Sequence, residues 1–161
     1  MLYVKDLRVE YRENPIGLDV KSPRFSWKLE SDRQNVFQVS YQIIVVEEGS
    51  GHEVWDSGEH ASADTVAVFY EGKALLPQTS YQVKVLVRDN YGEKAEGMAA
   101  FRTGLMEPGN WKANWITHGF ADDLEACAVF EKNFPLRPDA GGIREAYLYI
   151  SALGVYEAVL N

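Results

Sequence analysis

Closely spaced carboxylates are the residues of this chain that could do acid–base chemistry. Such catalysis needs two carboxyl groups held across a substrate, one to donate a proton and one to accept it. The candidates are Glu47 with Glu48, Asp56 with Glu59, and Asp122, Asp123 and Glu125. All fall in segments predicted to be loops or turns, with no sign of a cleft. We interpret them as solvated surface charge and predict no catalytic residue and no enzymatic activity for these 161 residues alone.

Metal, nucleophile and cofactor sites are not indicated either. His52, His60 and His118 share no ligand spacing, and Cys127 has no cysteine or histidine partner at such a spacing. No serine lies in a strand–turn–helix elbow, and no glycine-rich phosphate loop occurs. The sequence therefore predicts neither a metal nor a cofactor.

Aromatic residues are better candidates for a binding role. Trp55, Trp111 and Trp115 lie at strand ends or in connecting segments, as do Tyr91 and Phe120. Exposed rings in such places can stack on the face of a pyranose. The alternative, which we favour, is that Trp111 and Trp115 pack one module against another.

The clearest structural signal is the strand that begins at Tyr81. Apolar and polar residues alternate from 81 to 89, which predicts a strand with one buried face. Pro77 marks the turn before it. A tyrosine in this position can bond back to the preceding turn, as in the corner of a β-sandwich. Trp27 alternates in phase with other apolar residues and is predicted to lie in the core.

Seven short alternating segments precede residue 105, and none has a helical period. They are 7–9, 25–29, 41–46, 54–58, 66–70, 81–89 and 99–103. This pattern predicts an all-β fold, with an immunoglobulin or fibronectin type III-like sandwich over residues 1–104. A Pro-Gly-Asn boundary suggests a linker at 105–113. Further strands predicted at 128–134, 146–150 and 155–160 suggest that 114–161 is the truncated start of a second sandwich.

Net charge and hydropathy argue against some classes of binding partner. The net charge of −8 argues against nucleic acid or an anionic membrane, since both select clustered Lys and Arg. No apolar run approaches the ~18 residues of a membrane helix. The first residues lack the features of a secretory leader. We therefore expect a cytoplasmic protein, or a secreted or periplasmic one if a leader was removed.

An ordered set of motifs resembles the N-terminal region of bacterial α-L-rhamnosidases. The resemblance covers essentially the whole chain. The motifs are residues 14–19 (NPIGLD), 23–29 (PRFSWKL), 41–43 (YQI), 54–58 (VWDSG), 101–104 (FRTG), 111–116 (WKANWI) and 147–157 (YLYISALGVYE). The resemblance implies a fibronectin type III-like domain followed, from about residue 107, by the start of the next β-sandwich. In that family the catalytic (α/α)6 barrel and its acid and base lie far downstream, so none of its catalytic residues has a counterpart here.

The resemblance implies that this chain is a non-catalytic N-terminal portion of an enzyme that removes terminal α-L-rhamnose from glycosides or polysaccharides with inversion. Its expected partners are the rest of that enzyme, a rhamnose-containing carbohydrate, and a second copy of the chain paired through residues 155–160. Two alternatives stay open: a stand-alone carbohydrate-binding module, and a fibronectin-like spacer of an unrelated protein.

Overall fold

A computed structural model describes residues 1–119, 128–135, 142–143 and 145–160. They contain seven strands and one short 3-10 helix at Pro108–Asn110. The strands are β1 (Leu2–Val9), β2 (Arg24–Ser31), β3 (Gln38–Glu47), β4 (Glu53–Asp56), β5 (Val68–Phe69), β6 (Ser80–Asp89) and β7 (Lys94–Arg102). All seven segments predicted before residue 105 therefore contain a strand, although β5 is only two residues long.

The strands form two antiparallel sheets, with orders β1-β2-β5 and β4-β3-β6-β7. The chain crosses between the sheets after β2, β4 and β5. This confirms the predicted all-β, immunoglobulin-like sandwich. In each sheet the shortest strand, β4 or β5, lies at one edge.

Alternation in the central strands builds the core. Val83, Val85 and Val87 of β6 are buried, as are Ile43 and Val45 of the neighbouring β3. In the register of these strands Ile43 lies opposite Val85, and Val45 lies opposite Val83. Antiparallel neighbours in register present their side chains on the same face, so these valines and isoleucine form one apolar layer.

The tyrosine at the head of β6 makes the hydrogen bond that the sequence predicts. Tyr81 is fully buried, and its Oη accepts a hydrogen bond from the backbone N–H of Leu76 at 2.8 Å. Its ring stacks on Phe101 with 5.2 Å between centroids. Burial raises the pKa of the Tyr81 hydroxyl. The bond ties the turn after β5 to the first residues of β6.

Trp27 also lies where its alternation predicts. It is 2% exposed, and its indole Nε1 donates to Gln38 Oε1 at 2.9 Å. Gln38 in turn donates from Nε2 to the carbonyl oxygens of Ser62 and Asp64. A buried polar pair of this kind satisfies its own hydrogen-bonding groups while holding the segment between β4 and β5 against β3.

Residues that follow β7 contact the sandwich. The backbone N–H of Met106 donates to Asp19 Oδ1 at 2.7 Å, and Lys21 forms an ion pair with Glu107. The ion pair raises the pKa of Lys21. The first compact unit of the chain accordingly runs past the last strand, from Met1 to Asn114, and a second unit runs from Trp115 to Asn161.

The second unit differs from the prediction. Residues 128–134, 146–150 and 155–160 are all described, and none of them forms a strand. A largely apolar run alone does not make a strand, because the backbone N–H and C=O groups also need a paired neighbour, and isolated hairpins are marginal in water. Most of the described apolar side chains here are exposed, Val155, Val159 and Leu160 among them.

Within the described residues, no helix has the length and apolar character that crossing a bilayer would require.

Candidate functional site

An open cavity of about 340 Å³ lies where the edge strands β4 and β5 leave the sandwich uncovered. We call it the edge groove. Its lining includes the side chains of Tyr41, Trp55, His60, Asp64, Phe69 and Glu71. They come from β3, β4, β5 and the irregular segments around them. A second open cavity adjoins it and shares Trp55 and Glu71.

Trp55 is held in place by its neighbours. Its half-buried ring stacks against Phe25 at 6.2 Å and meets Tyr70 edge-on at 5.2 Å. Tyr70 is fixed because its hydroxyl donates to the carbonyl of Lys73 at 2.6 Å. A Cβ built on Gly72 would lie 2.6 Å from Tyr70 Oη and would also collide with Trp55, so only glycine fits beside this pair. The indole is therefore preorganised at the groove wall.

Tyr41 and His60 meet through backbone pairing. The Tyr41 N–H donates to the His60 carbonyl at 3.0 Å, and the His60 N–H donates to the Tyr41 carbonyl at 2.8 Å. These two bonds form an isolated antiparallel bridge between β3 and the segment after β4. Their rings stack with 5.4 Å between centroids and 15° between planes. His60 Nε2 lies 2.8 Å from the carbonyl oxygen of Ser57, which fixes the imidazole orientation. The other ring nitrogen, Nδ1, has no partner in the described hydrogen bonds.

The electrostatic character of the groove is negative. Burial raises the pKa of the Tyr41 hydroxyl, and the charges of Asp64 and Glu71 raise it further. Asp64 Oδ2 accepts a hydrogen bond from Ser62 Oγ at 2.7 Å. Neither Lys nor Arg is among the residues that line this cavity. Such a surface favours neutral or cationic ligands over anions.

Asp56 and Glu59, a candidate acid–base pair from the sequence, make hydrogen bonds within the sandwich instead. Asp56 Oδ1 accepts from Gln42 Nε2 at 2.7 Å and from the N–H of Gly58, and these bonds lower the pKa of Asp56. The hydrogen bond from Ser40, with Arg88 nearby, lowers the pKa of Glu59. Both are held as ionised acceptors, the opposite of what a proton-donating acid needs.

Glu47 ends β3 and Glu48 lies in the turn after it, neither of them lining the edge groove. Asp122, Asp123 and Glu125 lie outside the described residues.

The other aromatic candidates are placed apart from the groove lining. Trp111 follows the 3-10 helix and donates its backbone N–H to the carbonyl of Pro108, and Trp115 is 68% exposed in the second unit. Tyr91 lies in the β6–β7 turn with the guanidinium of Arg33 over its ring. Phe120 lies outside the described residues. Of the three tryptophans proposed for sugar stacking, Trp55 alone lines the edge groove.

Pro77 is exposed in the turn before β6, where its carbonyl accepts from Thr79 Oγ1 at 2.8 Å.

For most of the groove residues, nothing in the neighbouring sequence indicates that they line a cavity. Tyr41, His60, Asp64, Phe69 and Glu71 are brought together by strand pairing and by the crossover from β4 to β5. The one usable signal was an aromatic at a strand end, which identified Trp55. In the described part of the chain, no group of three or more His, Cys, Asp or Glu side chains is arranged to hold a metal ion.

Comparison with known proteins identifies the module. Residues 4–107 match the family described as "Rha78A-like, N-terminal immunoglobulin domain". The chain belongs to this family. An α-L-rhamnosidase of Streptomyces avermitilis is 40% identical over 121 residues, which are 72% of this chain and 12% of that protein. One from Formosa agariphila is 29% identical over 163 residues, covering 92% of this chain and 17% of the relative.

Solved structures agree with this Rha78A-like assignment. The crystal structure of the Streptomyces avermitilis α-L-rhamnosidase complexed with L-rhamnose matches 73% of this chain at 38% identity, with a TM-score of 0.69. An α-L-rhamnosidase from Dictyoglumus thermophilum matches 71% at 40% identity, with a TM-score of 0.66. The chain spans only 12% and 14% of these two structures. The similarity therefore concerns a small part of each enzyme.

Proposed function

We propose that this chain is a non-catalytic N-terminal portion of an α-L-rhamnosidase that removes terminal α-L-rhamnose with inversion. One observation carries the proposal: residues 4–107 match an N-terminal immunoglobulin domain whose matched relatives are α-L-rhamnosidases several times longer than this chain. The engaged state of Asp56 and Glu59 supports the absence of an acid–base pair from this portion. Its main partner is the rest of that enzyme.

A domain exchange tests the assignment. The matching N-terminal domain of the Streptomyces avermitilis enzyme would be replaced by residues 4–107 of this chain, and hydrolysis of an aryl α-L-rhamnoside would be measured. We expect a soluble chimera with activity close to that of the parent, because residues 4–107 match the same domain family and the two proteins are 40% identical over 121 residues. The same enzyme with its own domain re-inserted is the control. A chimera that is insoluble or inactive beside a working control would contradict the proposal.

The isolated chain gives the complementary measurement. At high protein concentration it should show no hydrolysis of the aryl rhamnoside above buffer, because the carboxylates described here form no catalytic pair. Turnover that copurifies with the chain through two chromatographic steps would show that it carries catalytic groups of its own.

A second role, contact with rhamnose-containing carbohydrate, is favoured by one specific observation. Trp55 lines the edge groove together with two carboxylates and an imidazole. Aromatic faces beside hydrogen-bond acceptors are a common way to hold a sugar ring. We propose this role in addition to the structural one.

A third element of the proposal concerns residues 115–161. Their exposed apolar side chains, including Val129, Leu148 and Leu153, form the kind of surface that is buried against a partner. We propose that the rest of the enzyme covers it in the parent, and that a second copy covers it when the chain is alone.

A further inference from the structure

The edge groove combines three features that suit one class of ligand. Its size, about 340 Å³, lies at the low end of the ~300–1,000 Å³ of small-molecule sites. Its walls include the half-buried Trp55 and the half-exposed ring of Phe69. Its rim carries Asp64 and Glu71. An apolar face beside acceptors matches a molecule that has both C–H faces and hydroxyl groups.

The acceptors are available. No hydrogen bond or ion pair within the described part of the chain engages the Glu71 carboxylate. Asp64 uses one oxygen for Ser62, which leaves the other open. A carboxylate can accept hydrogen bonds from two adjacent hydroxyls, and such charge-assisted bonds are stronger than neutral ones. Both carboxylates also disfavour anionic ligands, so the groove favours a neutral sugar over an acidic sugar or a phosphate.

One further part of the wall is aliphatic. Val66, Ala67 and Val68 line the same cavity and supply no hydrogen-bonding side chain. A methyl group of a sugar would make apolar contact here, whereas a hydroxymethyl group would replace part of that contact with a hydroxyl for which these three side chains offer no hydrogen bond. The lining therefore favours a 6-deoxy sugar over its 6-hydroxy counterpart.

We propose that the edge groove binds a single neutral 6-deoxyhexose unit, with an apolar face of the ring on Trp55 and Phe69 and hydroxyls donating to Glu71 and Asp64. The proposal rests on the rhamnosidase assignment for the identity of the sugar. The adjoining cavity beyond Trp55 and Glu71 leaves space for the group to which the sugar is linked.

Titration followed by amide NMR tests the proposal on the 161-residue chain. The probe is methyl α-L-rhamnopyranoside, taken to about 50 mM because a shallow site for so small a ligand has an expected Kd of about 1–10 mM. We expect saturable shifts of the Trp55 indole N–H and of residues 64–71. Methyl α-L-mannopyranoside, which differs by a 6-hydroxyl, should bind several-fold more weakly.

Two exposed positions provide variants that should fold normally. Glu71→Ala should weaken binding about tenfold through loss of a charge-assisted hydrogen bond, and Phe69→Ala should also weaken it. Glu48→Ala removes an exposed carboxylate outside the groove and should leave binding unchanged. Amide spectra of each variant without sugar verify the fold.

Several results would overturn the proposal: no shifts with either sugar, shifts confined to residues 115–160, equal binding by Glu71→Ala, or equal affinity for the two sugars. Groove shifts with methylguanidinium but not with sugar would mean that the groove takes a cationic side chain instead. If the domain-exchange chimera is active but the chain does not bind the sugar, the groove proposal alone is wrong. If the chain binds the sugar but the chimera is inactive, the groove proposal stands and the proposed role in the enzyme is wrong.

Discussion

Replacing Tyr81 with phenylalanine tests how much the corner hydrogen bond stabilises the sandwich. The ring would keep its place on Phe101, so packing is preserved and only the hydroxyl is lost. The N–H of Leu76 would then lack its acceptor. An unsatisfied buried donor costs about 1–3 kcal/mol. Since the Leu76 side chain is exposed, water can reach part of this turn, and we expect a loss of about 1–2 kcal/mol.

The turn itself should survive the substitution. Thr103 Oγ1 donates to the carbonyl of Leu76 at 2.6 Å and accepts from the N–H of Thr79 at 2.9 Å. The change in stability therefore measures the hydrogen bonding of the Tyr81 hydroxyl rather than the collapse of a loop. Equilibrium unfolding in urea, followed by tryptophan fluorescence, gives the free energy, and an unchanged slope would show that the unfolding transition is otherwise the same.

Tyr91→Phe is the matched control, because Tyr91 is 54% exposed and lies in a turn outside the core. It should change stability by less than ~0.5 kcal/mol. A loss at position 81 no larger than that at position 91 would refute the reasoning that this bond holds the corner together.

Three further expectations concern packing, pH and association. Gly97→Ala should destabilise the chain by about 1–3 kcal/mol in urea, because its Cβ would lie 2.5 Å from Val4 Cγ1, whereas Gly49→Ala meets no atom within 4 Å and should be neutral. Burial raises the pKa of Tyr70 to about 12 from an ordinary value of 10.0. The unfolded chain therefore loses this proton first, so the stabilisation is complete below pH ~10 and is lost as the pH rises towards ~12. Spectrophotometric titration and alkaline unfolding of Tyr70→Phe, which lacks this pH dependence, check it. Sedimentation velocity should show concentration-dependent association of the full chain and a monomer after removal of residues 115–161; association that persists in the shortened chain would place the contact in the sandwich instead.

The sandwich was predictable because burial in a sheet has a period of two. In β6 the alternation of Tyr81, Val83, Val85 and Val87 reports directly which face is buried. The strand predicted at 155–160 was wrong: it relied on a largely apolar run without a period of two, and no strand forms there. An apolar pattern indicates which side chains need to be buried. It does not show whether a neighbouring strand exists to pair with the backbone.

The edge groove was predictable only through Trp55. His60 is 19 positions from Tyr41 in sequence, and an isolated backbone bridge outside the named strands brings the two rings together. No motif spacing encodes such a contact, because it depends on where the chain leaves one sheet for the other. Asp64 and Glu71 likewise line the groove because of the path of the chain around β5, which their neighbours in sequence do not indicate.

The groove and the protection of the sandwich edges share one structural cause. Sheets are prone to pair through long exposed edge strands, and short edge strands prevent this. Here one edge strand of each sheet is short, with four residues in β4 and two in β5, whereas the opposite edge strands, β1 and β7, have eight and nine residues. Because so little of the chain between Asp56 and Tyr70 is in a strand, its backbone can turn inward and place His60 beside Tyr41. The short edge strands β4 and β5, which limit edge-to-edge pairing on that side, thus also leave an open cavity lined by Trp55, Asp64 and Glu71, which is where the proposed sugar would bind.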